Sequence, residues 1–371
     1  MDYSPMDQYW IWLSSVEGIG PKRFYQLLTL FEDARGVWDA LEGPMLPPDL
    51  KLVGPKALQE LRTARDAGYF YRLFERLERL GIRAVTRLDD DYPADLASIC
   101  DPPPTLFIRG ECPLDGPRQL AVVGSRKCTY DGQRAAREFG KGLAENGVTV
   151  ISGMARGIDS CAHIGALDGG GKTIAVLGCG VDTAYPPENE ELMARIIDSG
   201  GAVVSEYRPG TPPVPGNFPA RNRIISGLAR GALLVEGAKA SGAMITVNLA
   251  LEQGRDVFAI PGGIYSPLSS APNQMILEGA TPVLSHWDIL ETYGWAQRPG
   301  PSAAQSGKRV ELDEQERALV EPLRFEPLSF EELISVTGLS AAKLNSHLTM
   351  LELRGIIVKV PGGLYRSYIE D

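Results

Sequence analysis

A chain of 371 residues, 44% of them apolar and 23% charged, has the length for two or three domains and the composition of an ordinary globular protein. It holds no run of eighteen apolar residues, and residues 1–9 lack a basic stretch followed by an apolar one, which argues against a membrane span or a secretory leader and makes the cytoplasm the expected location. The net charge of −10 disfavours nucleic acid unless cations are gathered locally, while five cysteines with no C-x-x-C pair and three separated histidines disfavour disulfides or a metal site.

The chain begins with a glycine hairpin, Gly18, Gly20 and Pro21, followed by Phe24, Leu27, Leu28 and Phe31 at helical spacing. A weaker echo of this turn runs from Leu52 through Gly54 and Pro55. The pair resembles a helix-hairpin-helix module, whose turn amides grip a DNA phosphate; a small helical domain that merely packs is the competing reading. Residues 69–82 read as a helix ending at Gly81, and 83–88 as a strand. Prolines 93, 102–104 and 113 then bracket one apolar run, 105–108, expected as an edge strand within a connector.

The next stretch organises the rest. An apolar run at 120–123 stops at Gly124-Ser125-Arg126 and is followed by helical periodicity over 132–145. A second run at 148–151 meets a second glycine turn, Ser152 to Asp159, that opens another helix. Further runs at 173–177, 202–205, 232–236 and 256–260, with helices at 190–199 and 246–253, give a doubly wound sheet of six or seven strands. Gly178-Cys179-Gly180 lacks the third glycine of a dinucleotide fingerprint, and Asp182 follows too soon to bind a ribose, so no nicotinamide cofactor is expected. Residues 296–310 lose periodicity and read as a linker; beyond them three helices and a hairpin resemble a winged helix. That C-terminal segment, 311–371, carries eleven acids against six bases, a net −5, which suits protein contact or an auxiliary DNA contact better than duplex reading.

The expected architecture is α/β: an extended Rossmann-like, doubly wound, mostly parallel sheet over 81–295, an N-terminal helical domain of helix-hairpin-helix or SAM-like type over 1–80, the linker, and the winged-helix domain over 311–371. Glycine turns at the carboxyl edge of such a sheet suit either plain chain reversal or anion binding. Arg126 and Arg156 in the two turns favour the second. Residues 207–235 contain no acid and four arginines, Arg208, Arg221, Arg223 and Arg230. Within them Phe218-Pro219-Ala220-Arg221-Asn222-Arg223 sets an aromatic ring beside guanidinium groups, a combination that stacks bases and tracks phosphates; a core phenylalanine with surface ion pairs is the alternative.

Five segments in order resemble the DNA-processing protein A family (DprA, also called Smf): 123–126, 152–159, 218–225, 235–246 and 254–262. The resemblance is close over 85–285 and implies a non-catalytic, cofactor-free protein that binds single-stranded DNA without sequence preference. It further implies a homodimer that loads the RecA recombinase in natural transformation, with the single-stranded DNA-binding protein as a candidate partner. By the same resemblance Gly124, Ser125 and Arg126 hold a phosphate, and Gly153, Arg156, Gly157 and Asp159 shape the neighbouring pocket. Phe218, Arg221, Asn222 and Arg223 bind strand and base, Lys239, Ser241 and Gly242 border the groove, and Met275, Ile276 and Leu277 supply apolar dimer surface. Met154 and Ala243-Met244 depart from the family pattern. A rival enzyme reading starts from Pro261-Gly262-Gly263, which is similar to the turn of lysine-decarboxylase-like phosphoribohydrolases; those need a glutamate soon after it, and here the first acid is Glu278. A transcription regulator, suggested by the winged helix alone, is the third reading.

Overall fold

The computed structural model describes residues 3–42, 53–298, 312–360 and 362–367; Leu52, Pro361 and the expected linker from residue 299 onward lie outside them. The first five helices are α1 (Pro5–Ser14), α2 (Pro21–Phe31), α3 (Ala34–Ala40), α4 (Pro55–Ala64) and α5 (Ala67–Arg79). Their starts are set by proline at the first position or by Ser4, Asp33 and Asp66, whose side chains accept otherwise unpaired backbone N–H groups. Their apolar faces meet around Trp12, Phe24, Leu27 and Leu61, and the Trp12 indole donates to the Ala64 carbonyl at 2.8 Å. The two glycine hairpins adjoin, with Lys56 paired to Glu17 at 2.9 Å.

The divide expected between residues 80 and 81 is not a divide of the core. Ile11, Leu73 and Leu77 turn away from the helical cluster and pack with Phe107, Leu177 and Val203 of the sheet. Burial of such side chains is the main favourable term in folding, so helices and sheet cohere as one compact unit, Met1–Arg298.

That sheet has nine strands, two or three more than the apolar runs suggest: β1 (Arg83–Thr86), β2 (Thr105–Gly110), β3 (Gln119–Val123), β4 (Thr149–Ser152), β5 (Thr173–Val176), β6 (Ala202–Ser205), β7 (Gly231–Leu234), β8 (Asp256–Ala259) and β9 (Thr281–Pro282). Their order is β1-β2-β6-β5-β4-β3-β7-β8-β9. The pairs β1/β2 and β2/β6 are antiparallel, the rest parallel. Thus β2 is interior rather than an edge strand, because β1 covers its outer side; the flanking prolines lie outside the paired residues.

Between the strands run α6 (Ala94–Ala97), α7 (Tyr130–Glu145), α8 (Ile158–Asp168), α9 (Glu190–Asp198), α10 (Asn217–Gly227), α11 (Gly242–Glu252) and α12 (Ser270–Leu277), and α13 (His286–Thr292) follows β9. From β3 the chain lays β4, β5 and β6 to one side, then crosses back to place β7 against β3, which leaves a crevice at the carboxyl ends of these two strands. The helices after β3 and β4, α7 and α8, touch backbone to backbone. A Cβ at Gly165 would lie 2.1 Å from the Arg137 carbonyl oxygen, and one at Gly140 2.5 Å from that of Ala162. His163 on α8 belongs to the core: the Thr173 hydroxyl donates to the Val150 carbonyl at 2.6 Å and so accepts from the ring Nδ1–H at 2.7 Å. Burial holds its pKa down at about 3, so the ring stays neutral.

The second unit, Pro299–Asp371, has its own core around Leu319, Leu333, Leu344 and Leu351. It comprises α14 (Glu314–Leu323), β10 (Leu328–Ser329), α15 (Phe330–Thr337), α16 (Ala341–Leu353), β11 (Ile357–Val360) and β12 (Leu364–Ser367), with strand order β10-β12-β11. This is the arrangement of three helices and a wing. No described helix is long and apolar enough to cross a membrane.

Close helix contact through glycine tolerates no added volume. Gly165→Val is expected to cost about 3 kcal/mol through overpacking, seen as a lower midpoint in urea unfolding, whereas Gly263→Ala, with open space around it and no left-handed backbone, should cost less.

Candidate nucleic-acid groove

The turn after β3 is tied to the turn after β7 by the Ser125 N–H, which donates to the Glu236 carbonyl at 2.8 Å. Thr129 caps α7 by accepting the Gly132 N–H at 3.0 Å, and its own N–H and hydroxyl donate to the Glu236 carboxylate at 2.9 and 2.5 Å. An acid therefore already sits at the positive end of α7.

The turn after β4 is filled in the same way. The Asp159 carboxylate accepts the N–H groups of Gly153 at 3.1 Å and Ala155 at 3.4 Å, while the Ile158 N–H donates to the Ser125 carbonyl at 3.2 Å. Gly157 has φ +78°, and a side chain there would also strike the Ser125 carbonyl oxygen at 2.4 Å. Met154 takes φ +53° without being glycine, a costly conformation supported here by Asn189, which donates to its carbonyl at 2.8 Å. The amides of Thr129, Gly153 and Ala155 are thus spent on the protein's own carboxylates, and that of Ser125 on a backbone carbonyl.

The start of α10 supplies the wall. Arg221 is 3% exposed. Its guanidinium donates to the carbonyls of Gly153, at 2.9 Å, and of Val176, which joins α10 to the carboxyl ends of β4 and β5. A Cβ at Gly153 would lie 2.6 Å from Arg221 Nη2 and 2.8 Å from Asp159 Oδ2, so this position has no room for a side chain. Burial raises the Asp159 pKa to about 6 in spite of the neighbouring Arg221, and burial lowers that of Arg221 to about 10.

Arg223 does not join Arg221. It is 5% exposed, forms a bidentate pair with Glu206 at 2.8 and 2.7 Å, and meets the Asp101 carboxylate at 3.0 Å. Two residues apart on a helix means nearly opposite faces, so the expected pair of strand-binding arginines is a buried staple and a buried ion pair. Arg156 is exposed but paired with Glu188.

The open groove encloses about 710 Å³. Of the expected residues it is lined by Gly124, Ser125, Arg126, Asp159, Phe218, Arg221, Asn222, Ser241 and Gly242. Gly153 and Arg156 line a small adjoining cavity; Gly157, Arg223 and Lys239 line neither, and Lys239 instead donates to Gln274 at 3.2 Å. Among the lining residues, one cation and one aromatic ring escaped the sequence reading. Lys127 stands exposed beside Arg126, and Tyr185 packs on Phe218 with ring centroids 5.1 Å apart and planes 32° apart. The signal for Lys127 was its place in the first glycine turn; nothing local marked Tyr185. The Arg126 guanidinium lies 5.8 Å from the centre of the Phe218 ring. Neither Arg126 nor Lys127 has a carboxylate partner among the described residues. The third helix start, that of α11, has no acid in its first turn and no side-chain cap, and its Ser241 hydroxyl is unpaired; Ser241 and Gly242 open into the groove.

The expected dimer residues separate. Met275 is buried in the core and Ile276 packs partly against it, so only Leu277, 82% exposed, presents apolar surface. Among the described residues Asp313, Glu316 and His347 come close enough to suggest a metal, but Asp313 and Glu316 cap α14 and Glu316 pairs with Arg354 at 2.6 Å, which leaves few free oxygens.

Comparison with known proteins identifies the family. Residues 83–294 match the family described as DNA recombination-mediator protein A, and 301–363 match the DprA winged helix domain. Protein Smf of Escherichia coli is 42% identical over 280 residues, 74% of this chain and 75% of that one. DNA processing protein DprA of Streptococcus pneumoniae is 47% identical over 206 residues, 56% of this chain and 72% of that one. The X-ray structure of the Streptococcus pneumoniae protein superposes with a TM-score of 0.64 at 35% identity, covering 78% of this chain and 98% of that one. A Helicobacter pylori DNA processing protein A, described for its unique single-stranded DNA binding mode, gives 0.51 at 26% identity, covering 57% and 94%. With these matches over its sheet and its winged unit, this chain belongs to the DNA recombination-mediator protein A (DprA) family.

Proposed function

We propose that this chain binds single-stranded DNA in the groove, without sequence preference and without catalysis. The observation that carries the reading is the Tyr185–Phe218 ring pair with Arg126 over it and Lys127 beside it, cations without carboxylate partners in a molecule of net charge −10. Stacked bases lie on the rings, and phosphates meet Arg126, Lys127 and the uncapped start of α11. The Helicobacter pylori relative described for single-stranded DNA binding supports the same use here.

The homodimer, loading of the RecA recombinase in transformation and a cytoplasmic site of action rest on family membership. Leu277, Leu284 and Tyr265 are exposed apolar side chains available for self-association. The winged unit, acidic and with Phe325, Met350 and Leu353 exposed, suits contact with protein rather than a duplex.

Anisotropy titration of labelled single-stranded and duplex oligonucleotides at two salt concentrations tests the groove. Arg126→Ala and Phe218→Ala should each weaken single-strand binding about tenfold for every sequence, and Arg126→Ala should reduce the salt slope by about 0.7. Unchanged affinity in both would remove the groove assignment.

Asp159 gives a pH test. Its folded pKa of about 6 exceeds the ordinary 3.8, so its favourable contribution to stability is full below 3.8 and is lost as pH rises through about 6. As pH falls through about 6 the acid becomes neutral and the groove more positive. Oligonucleotide binding should tighten by a factor of about three to ten over that window, and Asp159→Asn, which keeps an oxygen for the two amides, should bind tightly throughout.

The raised pKa of Asp159 in a cleft is also what an enzyme's acid would show, and it is the observation that favours the phosphoribohydrolase reading. Against it, the carboxylate is occupied by two amides, and the first acid after Pro261-Gly262-Gly263, Glu278, is exposed and bonded to Gln274 at 2.7 Å. Incubation with nucleoside monophosphates should release no free base; release that disappears in Asp159→Asn would establish the enzyme.

A further inference from the structure

A second concave surface lies on the helices that precede the matched family segments. Six aromatic side chains from the start of the chain, α1, α3 and α5 line a cleft of about 430 Å³: Tyr3, Tyr9, Trp38, Phe70, Tyr71 and Phe74. Five of the rings form a connected wall, with centroids 5.9 Å apart for Tyr9 and Trp38, 6.0 Å for Tyr9 and Phe70, 5.0 Å for Phe70 and Phe74, and 5.6 Å for Tyr3 and Phe74. Packing inside the helical core does not account for Tyr71, which is 69% exposed. A smaller cavity of about 170 Å³ adjoins the cleft, shares Tyr3, Tyr71 and Phe74 with it, and adds Glu75 and Glu78.

The charge pattern selects the guest. No lysine or arginine lines either cavity among the described residues. Of the nearby cations, Arg65 pairs with Glu42 at 3.3 Å, Arg72 with Asp66 at 3.6 Å and Arg76 with Asp182 at 2.6 Å, while Arg79, exposed at the end of α5, lines neither cavity. A strand of nucleic acid needs cations for its phosphates, as the groove supplies through Arg126 and Lys127; here two acids would repel it. Flat aromatic faces with acids at one end instead suit an extended peptide whose prolines lie on the rings and whose terminal cation meets the acids. Such a segment is already extended in solution and loses little entropy on docking. Glu75 and Glu78, three apart on α5, project from one helix face and can share one guanidinium or ammonium group.

We propose that this two-part cleft docks a proline-containing, extended peptide segment of a partner protein, with lysine or arginine at the end that enters beside Glu75 and Glu78. The site is separate from the DNA groove and does not depend on it.

The test uses the full chain and three labelled probes: a short proline-rich peptide ending in two arginines, the same peptide ending in two glutamines, and oligothymidylate. Saturable binding of the arginine-ended peptide is expected. Tyr71→Ala should weaken it at least about tenfold, and this exposed substitution should leave the unfolding midpoint unchanged. Glu75→Lys combined with Glu78→Lys should weaken the arginine-ended peptide and leave the glutamine-ended one unaffected, with oligothymidylate binding unaltered in all variants. Absence of saturable peptide binding, or peptide affinity indifferent to both sets of substitutions, would overturn the proposal. Loss of oligothymidylate binding in Tyr71→Ala would equally overturn it and assign the cleft to nucleic acid.

Discussion

The groove depends on one buried arrangement: the Arg221 guanidinium bonded to the carbonyls of Gly153 and Val176, next to the Asp159 carboxylate that holds the Gly153 amide. It joins the ends of β4 and β5 to α10, and it closes only because residue 153 has no side chain. Truncating Arg221 would leave the Gly153 and Val176 carbonyls without their donor, and truncating Asp159 would leave the Gly153 and Ala155 amides without their acceptor, each an unmade hydrogen bond in a buried place. The position of Phe218, one helical turn before Arg221, follows from it.

Charge in this protein works by subtraction. Most of its arginines are matched to acids: Arg223 to Glu206 and Asp101, Arg156 to Glu188, Arg255 and Arg230 to Asp95. Two helix starts that could bind a phosphate hold Glu236 and Asp159 instead. In the groove what remains is a small set among the described residues, Arg126, Lys127 and the start of α11, lining the same cavity as the Tyr185–Phe218 ring pair. A net charge of −10 and a local anion site are compatible because screening and pairing confine each charge to its neighbourhood.

The same principle distinguishes the other surfaces. The aromatic cleft of the helical layer is bordered by Glu75 and Glu78, and the winged unit carries a net negative segment with exposed Phe325, Met350 and Leu353. One chain thus presents a surface with unpaired cations and others where acids flank apolar groups, each fitted to a different class of partner.

Much of the architecture was legible in the residues. Continuous apolar runs ending in glycine marked the parallel strands, since a strand buried on both faces needs apolar side chains throughout and its turn needs a short, permissive residue. Helical periodicity located α7, α9 and the three helices of the second unit. The runs at 83–88 and 105–108 were legible as strands but not as members of this sheet, since antiparallel partners decide that, and β9 was hidden because a two-residue edge element is identified by pairing, not pattern. The residue types of the site were also legible, but their roles were not. Whether an arginine is free or neutralised depends on acids brought from elsewhere: Glu206 lies 17 residues from Arg223, Glu188 lies 32 from Arg156, and Asp101 lies 122 from Arg223. Likewise Met275 faces inward and Tyr185 meets Phe218 only after the sheet brings their loops together. The sequence by itself determined most of the strands and helices and set glycine turns with arginines at the sheet's carboxyl edge, because those follow from local pattern. Only the tertiary structure decided which of those cations stay unpaired, because pairing is settled by contacts between residues distant along the chain.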